Sequence, residues 1–250
     1  MRAEPRLRVA AFRPDDDRLD DAVELLSSLG ADPVPDPMLA VEPTDATPRE
    51  DAAYTVLTSK TGVELAAAAG WDPGEATVCA IGESTAAALR DAGYAVDVVP
   101  AEFSSSGLVD ALADAVAGVT VEVARSDHGS AVLTDGLEAA GAYVHETVLY
   151  RLVRPPESGE STALAAAGEL DAALFTSSLT VEHFLAAAED RGVREDAVAG
   201  LADATVGAIG APTAETAEAA GIAVDVVPDQ ADFETLACAV VEAAAPTHHE

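Results

Sequence analysis

Lysine is nearly absent from this 250-residue chain: Lys60 is the only one, and the other basic residues are arginines. Together the basic residues number 13 against 45 acidic ones, a formal net charge of −32. Such a chain offers no basic patch with which to displace counterions from a phosphate backbone, so nucleic acid is not an expected partner. Cysteine is equally scarce. Cys79 and Cys238 both sit in apolar contexts, with no spacing for a zinc site or a disulfide framework, and read as small buried hydrophobes. The histidines (His128, His145, His183, His248 and His249) are scattered, the last two in a polar PTHHE tail, so no metal is expected. No apolar run approaches the ~20 residues of a membrane span, and the start MRAEPRLRV has no secretory h-region. The expectation is a cytoplasmic protein without a membrane partner. Also missing are the G-x-G-x-x-G fingerprint, a P-loop lysine, an H-E-x-x-H pair and a Ser-His-Asp order.

Apolar residues make up 49% of the chain, so a substantial core can form and global disorder is not expected. The acidic residues are dispersed through periodic, apolar-containing segments rather than gathered in a tail. Self-repulsion from such a charge opposes compaction in dilute salt, but at 1 M salt the Debye length is about 3 Å and the repulsion is screened. A salt-loaded, halophilic cytoplasm accounts most simply for this composition.

The most informative feature is a repeat. TVCAIGESTAAALRDAGYAVDVVP (77–100) and TVGAIGAPTAETAEAAGIAVDVVP (205–228) share 15 of 24 positions. The likeness extends upstream, from VLTSKTGVELAAAA (56–69) to LFTSSLTVEHFLAAA (174–188), and downstream, from FSSSGLVDALADAV to DFETLACAVV. A weaker echo links LRVAAFRP (7–14) with VEVARS (121–126). The chain reads as a duplication with halves of about 7–116 and 119–242, too long a period for a solenoid.

Each half alternates short, continuously apolar strands with helices. Strands are expected at 7–12, 53–58, 76–81, 95–99, 119–124, 171–176, 204–209 and 223–227, with glycines such as Gly30, Gly93, Gly141 and Gly221 closing helices. This rhythm predicts an α/β fold with parallel sheets and right-handed crossovers. Two proline-bounded segments, VPDPMLAVEPTDATP and VHETVLYRLVRPP, are too long for αβ loops. They are expected to be interdomain connectors, at 35–47 and 146–156, paired as a two-stranded ribbon. Residues 1–34 plus 157–250 would then form one domain and 48–145 the other.

In parallel sheets ligands bind at the carboxyl ends of the strands. There the sequence places IGEST and IGAPT, whose Gly82 and Gly210 permit close backbone approach and whose Thr85 and Thr213 can cap a helix or contact an anion. Thr58-Ser59 and Thr176-Ser177 occupy equivalent strand ends, and Arg13 and Arg125 both follow the first strand of their half. Each hydroxyl alone could be a simple helix cap, and each arginine a surface ion pair. Repetition in both halves favours an anion-holding role, facing a cleft between the domains. Tyr150 lies in the second connector, either as a packing anchor or as a functional group. His128, just beyond Arg125, could face the cleft but is expected to be solvated.

Taken in order, AAFRP, the Thr-Ser strand ends, AIGESTAAALRDAGYAVDVVPAEFSSSGLVDAL, VLYRLV and AIGAPTAETAEAAGIAVDVVP make the chain similar to the uroporphyrinogen-III synthase family over almost its full length. The resemblance implies two flavodoxin-like domains joined by a β-ribbon, acting on a linear tetrapyrrole, hydroxymethylbilane; a monomer is the default expectation. The implied reaction is cyclisation with loss of water and inversion of ring D, a lyase activity in heme biosynthesis without cofactor or metal. It puts the functional tyrosine on Tyr150 and the substrate-holding hydroxyls on Ser59, Ser177, Thr85 and Thr213. Many relatives have T-S-P at the strand end, where this chain has Lys60 and Ser178. The alternative is a non-enzymatic protein that binds or senses an anionic ligand on the same scaffold.

Overall fold

The structure, a computed structural model, describes residues 6–245. The PTHHE tail with His248 and His249, and the first five residues, lie outside the described residues. In chain order the elements are β1 (Arg8–Phe12), α1 (Asp17–Ser28), β2 (Asp32–Pro35), β3 (Ala40–Pro43), β4 (Tyr54–Leu57), α2 (Lys60–Ala68), β5 (Thr77–Ala80), α3 (Glu83–Asp91), α4 (Ser105–Leu112) and β6 (Thr120–Ser126). They continue with α5 (Ala131–Ala139), β7 (Tyr143–Val153), α6 (Glu160–Ala166), β8 (Ala172–Phe175), α7 (Ser178–Asp190), α8 (Arg194–Leu201), β9 (Thr205–Ala208), α9 (Ala211–Ala219) and α10 (Phe233–Ala244). The chain divides into two compact units: one runs to Ala40 and resumes at Val153, and the other is Val41–Leu152.

The first unit is built on a four-stranded sheet of order β2-β1-β8-β9, all pairs parallel. The first strand of the chain is thus hydrogen-bonded to β8, a strand of the second sequence half. Side chains of β1 alternate between two cores, as strand geometry requires. Ala10 and Phe12 join Phe175 and Phe184 on one side, while Val9 and Ala11 join Leu26, Leu236 and Val240 on the other. The Phe12 and Phe175 rings stack with centroids 4.6 Å apart. Helices therefore cover both faces, and the near-continuous apolar strands follow from that double burial.

The second unit has a five-stranded sheet of order β3-β7-β6-β4-β5, with β7-β6, β6-β4 and β4-β5 parallel. Leu57, Ala80 and Ala124 pack under α2 and α3 with Trp71, and Val56, Cys79, Val121 and Val123 under α4 and α5. The register of β6 on β7 shifts between Arg125, opposite Val148, and Ser126, opposite Tyr150. One extra residue, Leu149, is accommodated on β7. Without that irregularity Leu149 and Tyr150 would point to opposite faces; instead both contribute to the same core cluster.

One expectation about secondary structure is corrected. The segments 95–99 and 223–227 are not strands, and each contributes a single bridge, Cys79 to Val98 and Gly207 to Val226. The aspartates explain it. Asp97 Oδ2 accepts from Val78 N at 2.8 Å and Asp225 Oδ2 from Val206 N at 2.8 Å, so a carboxylate takes the place of a ladder carbonyl. No helix among the described residues is long and apolar enough to cross a membrane.

Candidate functional site

In the second unit the carboxyl ends of β4, β5 and β6 surround a pocket of about 220 Å³. Its lining includes Thr58, Ser59, Arg125, Ser126, His128 and Tyr150. All but Ser126 were singled out in the sequence, and they are brought together from positions 92 residues apart (58 to 150).

Tyr150 is 6% exposed and reaches the pocket because of the β7 irregularity. Its hydroxyl donates to Ser59 Oγ at 2.9 Å. Ser59 is the N-cap of α2, where a short polar side chain satisfies a free helix N–H, and its Oγ accepts from Gly62 N at 3.0 Å. With two donors aimed at its oxygen, the Ser59 hydroxyl hydrogen remains available to a third group. Tyr150 and Ser59 thus form a short chain of hydroxyls ending in the pocket.

Arg125 is 6% exposed and is occupied by its own protein. One terminal nitrogen donates to Ser130 O at 2.6 Å and the other pairs with Glu146. A Cβ on Gly129 would lie 2.2 Å from Arg125 Cδ, so a larger residue there would have to displace the arginine side chain over which the loop closes. Arg125 therefore braces the loop between β6 and α5. The same loop is tied to β7 by Asp127, whose Oδ1 accepts from Leu152 N at 3.0 Å and sits 2.9 Å from His128 Nδ1. Partial burial works against ionisation of Asp127, but those two hydrogen bonds outweigh it and hold its carboxyl below the ordinary range. His128, with its side chain 45% exposed, is solvated as expected and lies at the pocket rim.

The first unit presents the duplicated features differently. Thr176 donates its hydroxyl to Phe12 O at 2.6 Å, which ties the end of β8 to β1. Ser177 caps α7 in a reciprocal box with Thr180. Arg13 makes no ion pair among the described residues; its guanidinium lies over the Phe233 ring, 4.4 Å from the centroid. Gly82 and Gly210 are the N-caps of α3 and α9, neither with a side-chain cap bond, so backbone N–H groups at both turns are left for another acceptor. Thr85 and Thr213, the third residues of those helices, are only 2% and 4% exposed, and neither lines the pocket. A second groove, about 540 Å³ and lined by prolines with Asp15 and Glu157, gathers none of the candidate residues.

Sequence reasoning missed Ser126 and Ser130 in the pocket, Glu146 as the counter-charge of Arg125, and Phe233 beside Arg13. Only the last had a signal in the sequence, an aromatic one residue into a helix whose counterpart in the repeat begins at Ser105. Among the described residues no group of three or more His, Cys, Asp or Glu side chains could hold a metal.

A family model described as "Uroporphyrinogen-III synthase HemD" matches residues 20–238. A curated protein of Methanothermobacter thermautotrophicus, named "Putative uroporphyrinogen-III synthase", is 36% identical over 149 residues, which are 58% of this chain and 58% of that protein. The aligned region thus spans little more than half of that relative. A mutant uroporphyrinogen III synthase of Thermus thermophilus has a similar structure, with a TM-score of 0.68 at 21% identity, covering 95% of this chain and 98% of that one. A uroporphyrinogen-III synthetase of Helicobacter pylori gives 0.61 at 16% identity, covering 96% and 100%. These two likenesses carry the fold, α/β with parallel sheets.

Proposed function

Because the chain belongs to the uroporphyrinogen-III synthase family, matched over residues 20–238, we propose that it is a lyase that closes hydroxymethylbilane to uroporphyrinogen III. The observation that carries this reading is the Tyr150–Ser59 hydroxyl pair opening into a pocket at the carboxyl ends of parallel strands. Closure begins with loss of the substrate's terminal hydroxyl. Ser59 donates its proton to that oxygen and recovers one from Tyr150, the C–O bond breaks, and water departs. The resulting electrophile is attacked by the substituted carbon of ring D. The original bond from that carbon to the methylene of its neighbouring ring then breaks, and the electrophilic methylene so released is captured by the unsubstituted α-carbon of ring D, which inverts the ring. A proton lost from the carbon of the opposite terminal ring at final closure balances the one supplied. General-acid assistance of this kind is worth roughly 10²- to 10⁴-fold. Most of the catalysis is then orientation, because ring D must be presented through its substituted carbon.

The substrate's acetate and propionate arms are held by the N-terminal turns at Gly82 and Gly210, by Thr58 and Ser59, by Thr176 and Ser177, and by Arg13. Thr85 and Thr213 support those turns from beneath, since they are buried. Arg125 acts on the substrate through the loop that it braces rather than as a free cation, because Glu146 already neutralises it. The two compact units are two flavodoxin-like domains, 1–34 plus 157–250 and 48–145, with 35–47 and 146–156 as a ribbon linker. Supporting this are the neighbouring positions of β3 and β7 and the passage of the chain between units at 40–41 and 152–153. The protein is a monomer of the cytoplasm. Turnover of hydroxymethylbilane by Ser59→Ala tests the relay: a rate equal to that of the unaltered protein removes Ser59 from the chemistry.

A further inference from the structure

Arg13 and Arg125 hold corresponding places after the first strand of each sequence half, yet their surroundings have diverged. Arg125 spends both terminal nitrogens on Ser130 O and Glu146. Arg13 has neither kind of partner among the described residues; the Nε of both arginines is buried without a hydrogen bond, so the difference lies at the terminal nitrogens. Three acidic groups lie close to Arg13: Asp21 forms no ion pair with it, and the other two are engaged elsewhere. Asp16 caps α1 and takes both Nε and Nη2 of Arg18, and Asp232 caps α10 while accepting from Thr235 N at 2.9 Å and Thr235 Oγ1 at 3.0 Å. What holds Arg13 is the face of Phe233, the first residue of α10. An ion pair consumes the hydrogen-bonding edge of a guanidinium, whereas an aromatic stack occupies its face and leaves the edge free.

We propose that Phe233 is a positioning residue that keeps the two terminal nitrogens of Arg13 as the open carboxylate fork of the first unit, taking one acetate or propionate arm of the substrate in bidentate fashion. This rests on the synthase reading for the identity of the carboxylate, though not for the existence of the fork. A structural role for Phe233 alone would predict a loss of stability with little change in affinity. Positioning predicts the reverse, together with rescue by another flat aromatic.

The test compares Phe233→Leu, Phe233→Trp and Arg13→Lys, each measured for turnover of hydroxymethylbilane, for binding of uroporphyrin III as a stable polycarboxylate probe, and for thermal stability. Phe233→Leu is expected to raise KM and the probe's Kd by about 3- to 10-fold with kcat within about 2-fold, the range of a lost cation–π contact. Phe233→Trp restores both, and Arg13→Lys weakens binding at least as much as Phe233→Leu. Unchanged KM and Kd in Phe233→Leu overturn the proposal, as does a loss that Phe233→Trp does not reverse. Should Phe233→Leu fail to fold, the proposal is judged on the other two variants, and normal affinity in Arg13→Lys overturns it. If the unaltered protein yields only the uninverted isomer, the synthase reading fails, while the probe binding still decides the role of Phe233.

Discussion

Tyr150 and Ser59 are 91 residues apart in sequence and 2.9 Å apart at their hydroxyls, a contact made possible by one extra residue in β7. Tyr150→Phe removes a single hydrogen bond, worth about 1 kcal/mol, from a serine that still accepts from Gly62 N. The expected outcome is a melting temperature within a few degrees of the original and turnover reduced by 10-fold or more, toward the roughly 10²- to 10⁴-fold limit of general-acid assistance. Equal rates would remove Tyr150 from the chemistry. At Arg125 the expected effect is on stability instead. Glu146→Gln leaves a 6%-exposed guanidinium without its counter-charge and should cost about 1–3 kcal/mol in denaturant unfolding, with Glu146 partly exposed and the penalty correspondingly short of a fully buried pair. The two cysteines also separate. Burial, aided by the nearby Asp97 charge, pushes the Cys79 thiol up to about 12, whereas Cys238 is exposed. One thiol per native chain should therefore react with a disulfide reagent at pH 8, and two after denaturation; two reacting natively would contradict the burial of Cys79. The sequence pointed to Tyr150 and Ser59 through a family resemblance and through strand-end position. It could not distinguish Arg13 from Arg125, because that difference lies in partners remote in sequence, Phe233 and Glu146.

At the scale of elements, alternation of short apolar runs with glycine-ended helices was sufficient to read α/β architecture and parallel sheets, since double burial of strands writes itself into composition. The same rule misread VDVVP in both halves. Its valines suit a strand, but Asp97 and Asp225 turn their carboxylates onto the N–H groups of β5 and β9 and leave only one bridge each. Side-chain competition for a backbone donor is invisible to a hydropathy pattern. Helix contacts supply a sharper test. A Cβ at Gly200 of α8 would meet Ala165 O of α6 at 1.8 Å, a backbone atom that no rotamer change can move aside. Gly200→Ala should therefore force α6 and α8 apart, at about 2–3 kcal/mol, despite alanine's better helix propensity. A stabilised variant, read by thermal unfolding, would mean that the two helices do not cross so closely. Two capping carboxylates act at this scale too. The Arg18 side chain holds Asp16 below the usual carboxylate range, and the Thr235 backbone N–H does so for Asp232. A depressed folded-state value means that their contribution is present above the unfolded value near pH 4 and is lost as pH falls through the lower folded value.

For the whole molecule, the charge of −32 and the anionic nature of the proposed substrate must be reconciled. In molar salt the screening length of about 3 Å confines electrostatics to contact, so remote acids cease to repel while helix N-termini and Arg13 still act at close range. Lowering KCl from about 2 M to about 0.1 M is expected to lower the melting temperature, and an unchanged value would show that self-repulsion does not limit this fold. The duplication was visible in the chain because both copies kept their turns, AIGEST and AIGAPT, whereas their surroundings drifted apart. The central claim, that these units serve an inverting cyclisation, is tested most directly by product identity. Hydroxymethylbilane is incubated with the protein in molar KCl and the uroporphyrinogen isomers are separated after oxidation. The account predicts predominantly isomer III, formed faster than spontaneous closure; isomer I alone, at the spontaneous rate, would contradict it.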